Sequence, residues 1–137
     1  MDRKKFMIIG LDIDGTAFTH DYPDLGDDIG AFPWLRKAQE MGARFIIFTM
    51  RDGQELRDAV EAVEDEGIKV YGRNVNPTQH EWTMSPKAYC HLYIDDNGLG
   101  MPLKVVDESG RPAVDWSVAG QMMLDAVTEW QLRHGDS

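Results

Sequence analysis

The stretch IIGLDIDGTA, residues 8–17, runs from an apolar segment directly into two carboxylates set two residues apart and then a Gly-Thr pair. An apolar run of this length, bounded by acids and glycine, reads as a buried strand over residues 6–11. Asp12 and Asp14 then stand where the strand leaves the core, the edge at which open α/β sheets bind their ligands. In extended chain the two-residue spacing sets both carboxylates on one side. Whether they do chemistry depends on what the rest of the chain brings to the same edge.

Three more apolar runs follow. ARFIIF, residues 43–48, reads as a buried central strand ending at Thr49; IKVY, 68–71, as a shorter one; and YCHLYI, 89–94, as a fourth that closes on Asp95 and Asp96. Amphipathic stretches separate them. A helix over about 31–41 tolerates Pro33 in its first turn, places Leu35, Ala38 and Met41 on one stripe and stops at Gly42. A second, over about 53–66, turns Leu56, Ala59, Val60 and Val63 inward and stops at Gly67. Residues 18–29 and 72–86 read as loops. Leu103–Val106 and Pro112–Val114 flank a turn and predict a small hairpin. A last helix over about 117–133, capped by Ser117 or Asp115, carries Val118, Met122, Ala126, Val127 and Trp130 toward the sheet. The alternation predicts one α/β domain over 1–137, with the hairpin and last helix at about 102–133. The expected architecture is three-layer α/β/α, with a Rossmann-like, mostly parallel sheet and helices on both faces. No insertion is large enough for a cap domain, so the crevice at the strand ends is open, rimmed only by the loops.

Composition narrows the function classes. With 24 acidic against 14 basic residues the formal charge is -10, which repels a phosphate backbone and argues against nucleic acid as a partner. A small phosphorylated ligand stays compatible, because a bound ion dominates the potential of its own site. The single Cys90 forms no intrachain disulfide, and His20, His80, His91 and His134 lack zinc-ligand spacing. After the charged Asp2, Arg3, Lys4 and Lys5, the apolar run before Asp12 is too short for a signal-peptide core. No run reaches the roughly eighteen residues needed to span a bilayer. The expectation is a cytoplasmic protein with no membrane association.

In order along the chain stand Asp12-Ile13-Asp14-Gly15-Thr16, Thr49, Lys87 and Asp95-Asp96. On these residues the chain resembles the haloacid dehalogenase-like hydrolase superfamily over about residues 6–100. It is most similar to small capless members with Tyr22-Pro23, Ala31-Phe32, Thr49-Met50-Arg51, Asn74-Val75-Asn76-Pro77 and Tyr93-Ile94-Asp95-Asp96 at the matching places. The resemblance implies a Mg²⁺-dependent phosphatase. Asp12 would be the nucleophile that forms an aspartyl-phosphate, and Asp14 the acid that protonates the leaving oxygen and then activates water. Two carboxylates in different surroundings suit this division, since a nucleophile stays ionised while an acid/base group exchanges its proton near neutral pH. Thr49 would hydrogen-bond the transferring phosphoryl group, with the Met50 amide beside it, and Lys87 would set a point charge against it. Gly15 and Thr16 are further substrate-binding candidates.

For the metal the resemblance implies Asp12, the Asp14 carbonyl, Asp95 and Asp96. It favours Asp95 as the direct ligand, with Asp96 direct or through water, and hard oxygen donors of this kind suit magnesium. This chain departs from its relatives where they carry an Arg before the Lys and another after the Asp pair: it has Pro86 and Asn97. Arg51 is then read in two ways, as the cation for a second phosphate or carboxylate, and as an ordinary surface ion pair. The favoured substrate is a small phosphomonoester, a sugar phosphate or mononucleotide. The alternatives are a polynucleotide-end phosphatase and a non-catalytic phosphate-binding or scaffold protein. A two-component receiver orders its acids, Thr and Lys differently, and the P-loop motif is absent. Trp34, Trp82 and Trp116 are candidates for a homo-oligomer interface.

Overall fold

All four residues of the first strand, β1 (Ile8–Leu11), are buried, as expected of a strand with parallel neighbours on both sides. The computed structural model describes residues 6–134, so the charged Asp2–Lys5 stretch and residues 135–137 lie outside the described residues. The chain continues through α1 (Phe32–Glu40), β2 (Arg44–Ile47), α2 (Gly53–Asp65), β3 (Val70–Arg73), a 3-10 turn (Gln79–Glu81) and β4 (Leu92–Ile94). It ends with β5 (Leu103–Val105), β6 (Pro112–Val114) and α3 (Trp116–His134). The main sheet is parallel in the order β3-β2-β1-β4, and β5 and β6 form a separate antiparallel hairpin.

This order positions the site. From β1 the chain steps to β2 and β3 on one side, then returns to lay β4 on the other side of β1. The direction of winding thus reverses between β1 and β4, and a crevice opens beyond the carboxyl ends of strands at such a point. Leu11 pairs with Ile47 and with Ile94, so the residues following all three strands emerge side by side.

The architecture is three-layer α/β/α without a cap domain. The layers are unequal. One face of the sheet, including Ile9, Leu11, Phe45 and Ile47, shares a single apolar core with Phe32, Leu35 and Ala38 of α1, Ala59, Val60 and Val63 of α2, and Met123, Val127 and Trp130 of α3. The other face, with Ile8 and Ile46, packs against Cys90, Phe6, Tyr71 and Tyr93, under a connection whose helical content is the 3-10 turn. The expectation of helices on both faces is met there by one short turn. Buried Gln79 organises this connection: its amide donates to the carbonyls of Ser85 and Lys87 and its oxygen accepts the Tyr89 amide.

Several boundaries differ from the sequence reading. The strand β3 lies two residues further along than expected, with Ile68 buried ahead of it, because the β2 register shifts at Phe45/Ile46 and then pairs Ile46 with Gly72. Extended pairing in β4 starts at Leu92, since the Tyr89 and Cys90 amides donate to Gln79 and to the Tyr93 hydroxyl instead of a neighbouring strand. The inward face of α3 is also corrected. Val118 and Met122 are exposed, and Trp116, Ala119, Gly120, Met123 and Leu124 are buried in their place. Apolar Val118, Met122 and Leu132 stand on the exposed side of this helix beside polar Gln121, Asp125 and Glu129, which blurs the periodicity that would fix its rotation. Tertiary contacts settle it: Trp116 Nε1 donates to the Thr16 carbonyl at 2.7 Å, and the Trp34 indole packs where a Cβ on Gly120 would collide with it. Trp116 and Trp34 therefore pack on their own fold, and Trp82 remains exposed. Asp115 caps α3, its carboxylate accepting the Ser117 amide. No helix among the described residues is long and apolar enough to cross a membrane.

Candidate active site

Asp12 leaves β1 with its amide donated to Ile94 O of β4, while Phe48 donates to Leu11 O from the β2 side. Both bonds continue the sheet by one residue and bring Asp12, Asp95 and Asp96 together, each half-buried. Carboxylate oxygens of the three lie within 4.8 Å of one another. Thr16, fully buried, ties the group together: its hydroxyl donates to Asp12 Oδ2 at 3.0 Å and accepts the Asp96 amide at 3.0 Å. Burial, the Asp95 charge and the side-chain bond with Asp96 push the Asp12 carboxyl up to about 8. Carboxylates packed this closely and partly withdrawn from water hold a proton. They form a set of hard oxygen donors able to take a divalent cation, and the arrangement is consistent with hydrolytic chemistry.

The turn after Asp14 carries its own constraint. Gly15 has φ +81°, and a Cβ there would collide with the His20 imidazole and come within 2.6 Å of Asp96 Oδ2. Only glycine meets both demands without strain. The Gly15 amide donates to Phe18 O and its carbonyl accepts the Val114 amide, so its backbone groups are used by the fold.

Arg51 lines the crevice, but not as a free cation. It is 2% exposed, which excludes an ordinary surface ion pair. Its Nε and Nη2 donate to the two oxygens of Asp14 at 2.8 and 2.7 Å, and its Nη atoms also donate to the carbonyls of Pro23 and Asp24. The guanidinium is thus spent on fixing Asp14 and the 20–28 loop. Asp14 keeps a partly exposed carboxylate, 21% by side chain, whose orientation Arg51 sets.

The remaining candidates divide. Thr49 lines the crevice, its amide donating to Asn74 Oδ1 and its hydroxyl accepting the Arg51 amide; Met50 is 98% exposed at the mouth. Lys87 lies elsewhere: its Nζ sits 5.7 Å from the Tyr93 ring centroid, it does not line the crevice, and among the described residues no carboxylate forms an ion pair with it. The Gln79 bond to Lys87 O holds the backbone there.

Four residues near the site were given no role from the sequence. His20 Nε2 stands 3.3 Å from Asp96 Oδ2 and 3.2 Å from Pro112 O. Asn74, at φ +57°, fixes the turn after Thr49 through its side chain. Asn97 and Arg111 line the crevice together with Asp12, Asp14 and Asp96. A lone His, Asn or Arg in a loop carries no periodicity; the Asn74-Val75-Asn76-Pro77 stretch and the departure at Asn97 drew attention to two of them, and nothing local drew it to His20 or Arg111.

No family model matches the chain, and no curated protein matches it. Among solved structures, a conserved protein from Bacteroides thetaiotaomicron is similar with a TM-score of 0.70 and 30% sequence identity, over 89% of this chain and 93% of that one. Likeness over nearly the full length of both chains joins the two in sequence as well as in fold, and the chain belongs to the same family as that conserved protein.

Proposed function

We propose that the chain is a Mg²⁺-dependent phosphomonoester hydrolase of the haloacid dehalogenase-like type, acting through an aspartyl-phosphate on a small phosphorylated metabolite such as a sugar phosphate or mononucleotide. The observation that carries this reading is the convergence of Asp12, Asp95 and Asp96 within 4.8 Å at the β1/β4 switch point, with Asp12 and Asp96 lining an open crevice. The donor chemistry fits: three carboxylates that push one of their own protons up to about 8 are matched by a divalent cation. Asp12, Asp95 and Asp96 would hold the ion, with the Asp14 carbonyl as a further oxygen. When bound, it supplies positive charge against the phosphoryl oxygens.

The chain's own residues do the rest. Thr16 engages Asp12 Oδ2, which leaves Oδ1 as the oxygen free of that bond to attack phosphorus. The new P–O bond to Asp12 forms as the ester P–O bond breaks, and the leaving oxygen takes the proton that the Asp14 carboxyl carries at the start of the cycle. Water then gives a proton to Asp14 and attacks phosphorus, and the Asp12–phosphorus bond breaks to restore the carboxylate. Arg51 accepts nothing and gives nothing in this cycle; its two bonds orient Asp14 while each Asp14 oxygen keeps a lone pair for the proton. Lys87 joins only if its side chain swings off the Tyr93 ring.

Hydrolysis of an aryl phosphate tests the reading. Mg²⁺ should support turnover, chelator should suppress it, and Asp12→Asn and Asp14→Asn should each lower it by at least about a thousandfold. Equal activity after complete metal removal, or a phosphate adduct persisting in Asp12→Asn, would overturn it.

A further inference from the structure

The crevice is lined by three carboxylates, Asp12, Asp14 and Asp96, and by two arginines. Arg51 is buried and its guanidinium is committed to Asp14 and two carbonyls. Lys87 is outside the crevice. Among the described residues, Arg111 is the one arginine or lysine lining the site whose charge is unspent: it is exposed and its side chain has no hydrogen-bond or ion-pair partner. Its backbone, in contrast, is anchored. The Arg111 amide donates to Ser109 Oγ, Pro112 O is in contact with His20, and His20 is in contact with Asp96. The hairpin is pinned to the turn of the first motif by the Val114 amide on Gly15 O. A fixed base beside the acidic cluster thus presents a free guanidinium at the crevice rim.

We propose that Arg111 is a specificity-determining residue that binds a second anionic group of the substrate, a carboxylate or a phosphate, distal to the phosphoryl group that is transferred. This rests on the hydrolase reading above. The transferred group must reach half-buried Asp12, whereas Arg111 is at the rim, so the group it meets is one that projects toward the mouth. A guanidinium suits carboxylate and phosphate alike, offering two parallel N–H donors to either. Against three carboxylates and a chain charge of -10, a distal anionic group needs a local cation, and among the described residues lining the crevice Arg111 is the one arginine or lysine left to supply it.

Calorimetric binding to the Mg²⁺-loaded protein tests this with three non-hydrolysable ligands: propylphosphonate, phosphonopropionate and propylene bisphosphonate. At least one of the two ligands with a distal anion should bind about tenfold more tightly than propylphosphonate, and which one does so identifies the anion. In Arg111→Ala that ratio should fall to near one, and in Arg111→Lys part of it should remain. A ratio near one in the wild type, or a ratio unchanged in Arg111→Ala, overturns the role of Arg111 while leaving the hydrolase reading standing. Failure of all three to bind, together with no hydrolysis of an aryl phosphate, sinks both.

Discussion

Replacing Arg51 with Met keeps the aliphatic stem and removes the charged head, isolating what the guanidinium does. In the native fold the pair is largely dry, with side-chain exposures of 1% for Arg51 and 21% for Asp14. Breaking a buried pair by deleting one partner costs about 3 to 5 kcal/mol, because the other charge is left uncompensated. Asp14 keeps some water contact, which places the cost at the low end. The Pro23 and Asp24 carbonyls lose their donors too but sit on a loop that can reach solvent. The expectation is a loss of about 3 kcal/mol, against at most about 1 kcal/mol for an exposed pair. Urea unfolding followed by circular dichroism, in metal-free buffer near neutral pH, measures it from the shift in midpoint at constant slope. The double variant Arg51→Met with Asp14→Asn should recover about 2 kcal/mol of the loss, since the orphaned charge is gone. A single-variant cost below about 1 kcal/mol, or a double variant no more stable than the single, would refute the reasoning that this arginine is a buried clamp on Asp14.

Two further outcomes follow from the acidic cluster. Asp12 holds its proton up to about 8 in the folded chain against an ordinary 3.8, so the folded state binds the proton more tightly than the unfolded one. The stability this contributes is full below the ordinary value and is lost as pH rises toward about 8; the metal-free protein should lose melting temperature over that range, Mg²⁺ should raise it more at about pH 8 than at about pH 6, and Asp12→Asn should flatten the first trend, with identical pH profiles for the two proteins counting against the crowded-carboxylate account. Gly15→Ala should cost at least about 1 kcal/mol from the left-handed backbone alone and should weaken Mg²⁺ binding in a calorimetric titration, because Asp96 and His20 must both move; a variant matching the wild type in stability and affinity would show that the turn tolerates a side chain.

The strand ends were legible in the sequence because they are written locally. An apolar run stopped by a polar or acidic residue marks where a buried strand meets water, and Asp12, Thr49, Asp95 and Asp96 were all found that way. Once the elements alternate, parallel pairing brings these ends to one edge whatever the loops do, so the metal-capable cluster follows from short-range pattern plus topology. The helices α1 and α2 were legible for the same reason, each having one apolar stripe and a glycine at its end.

What only the tertiary structure decided concerns side chains whose surroundings come from distant parts of the chain. Arg51 is charged and sits in a loop, so nothing local distinguishes a surface residue from a buried clamp; its burial comes from Asp14, Pro23 and Asp24 closing around it. Thr16 bridges Asp12 to an amide eighty residues away. Lys87 has its backbone set by Gln79, in a stretch without periodicity, and Arg111 reaches the crevice on a hairpin whose docking depends on the Gly15 carbonyl. The rotation of α3 was set by Thr16 and Trp34, not by its own pattern. Hydrophobic periodicity reports which residues leave water, and that is a property of the local chain; which polar group meets which is settled only when separate segments pack and each buried donor and acceptor must find a partner.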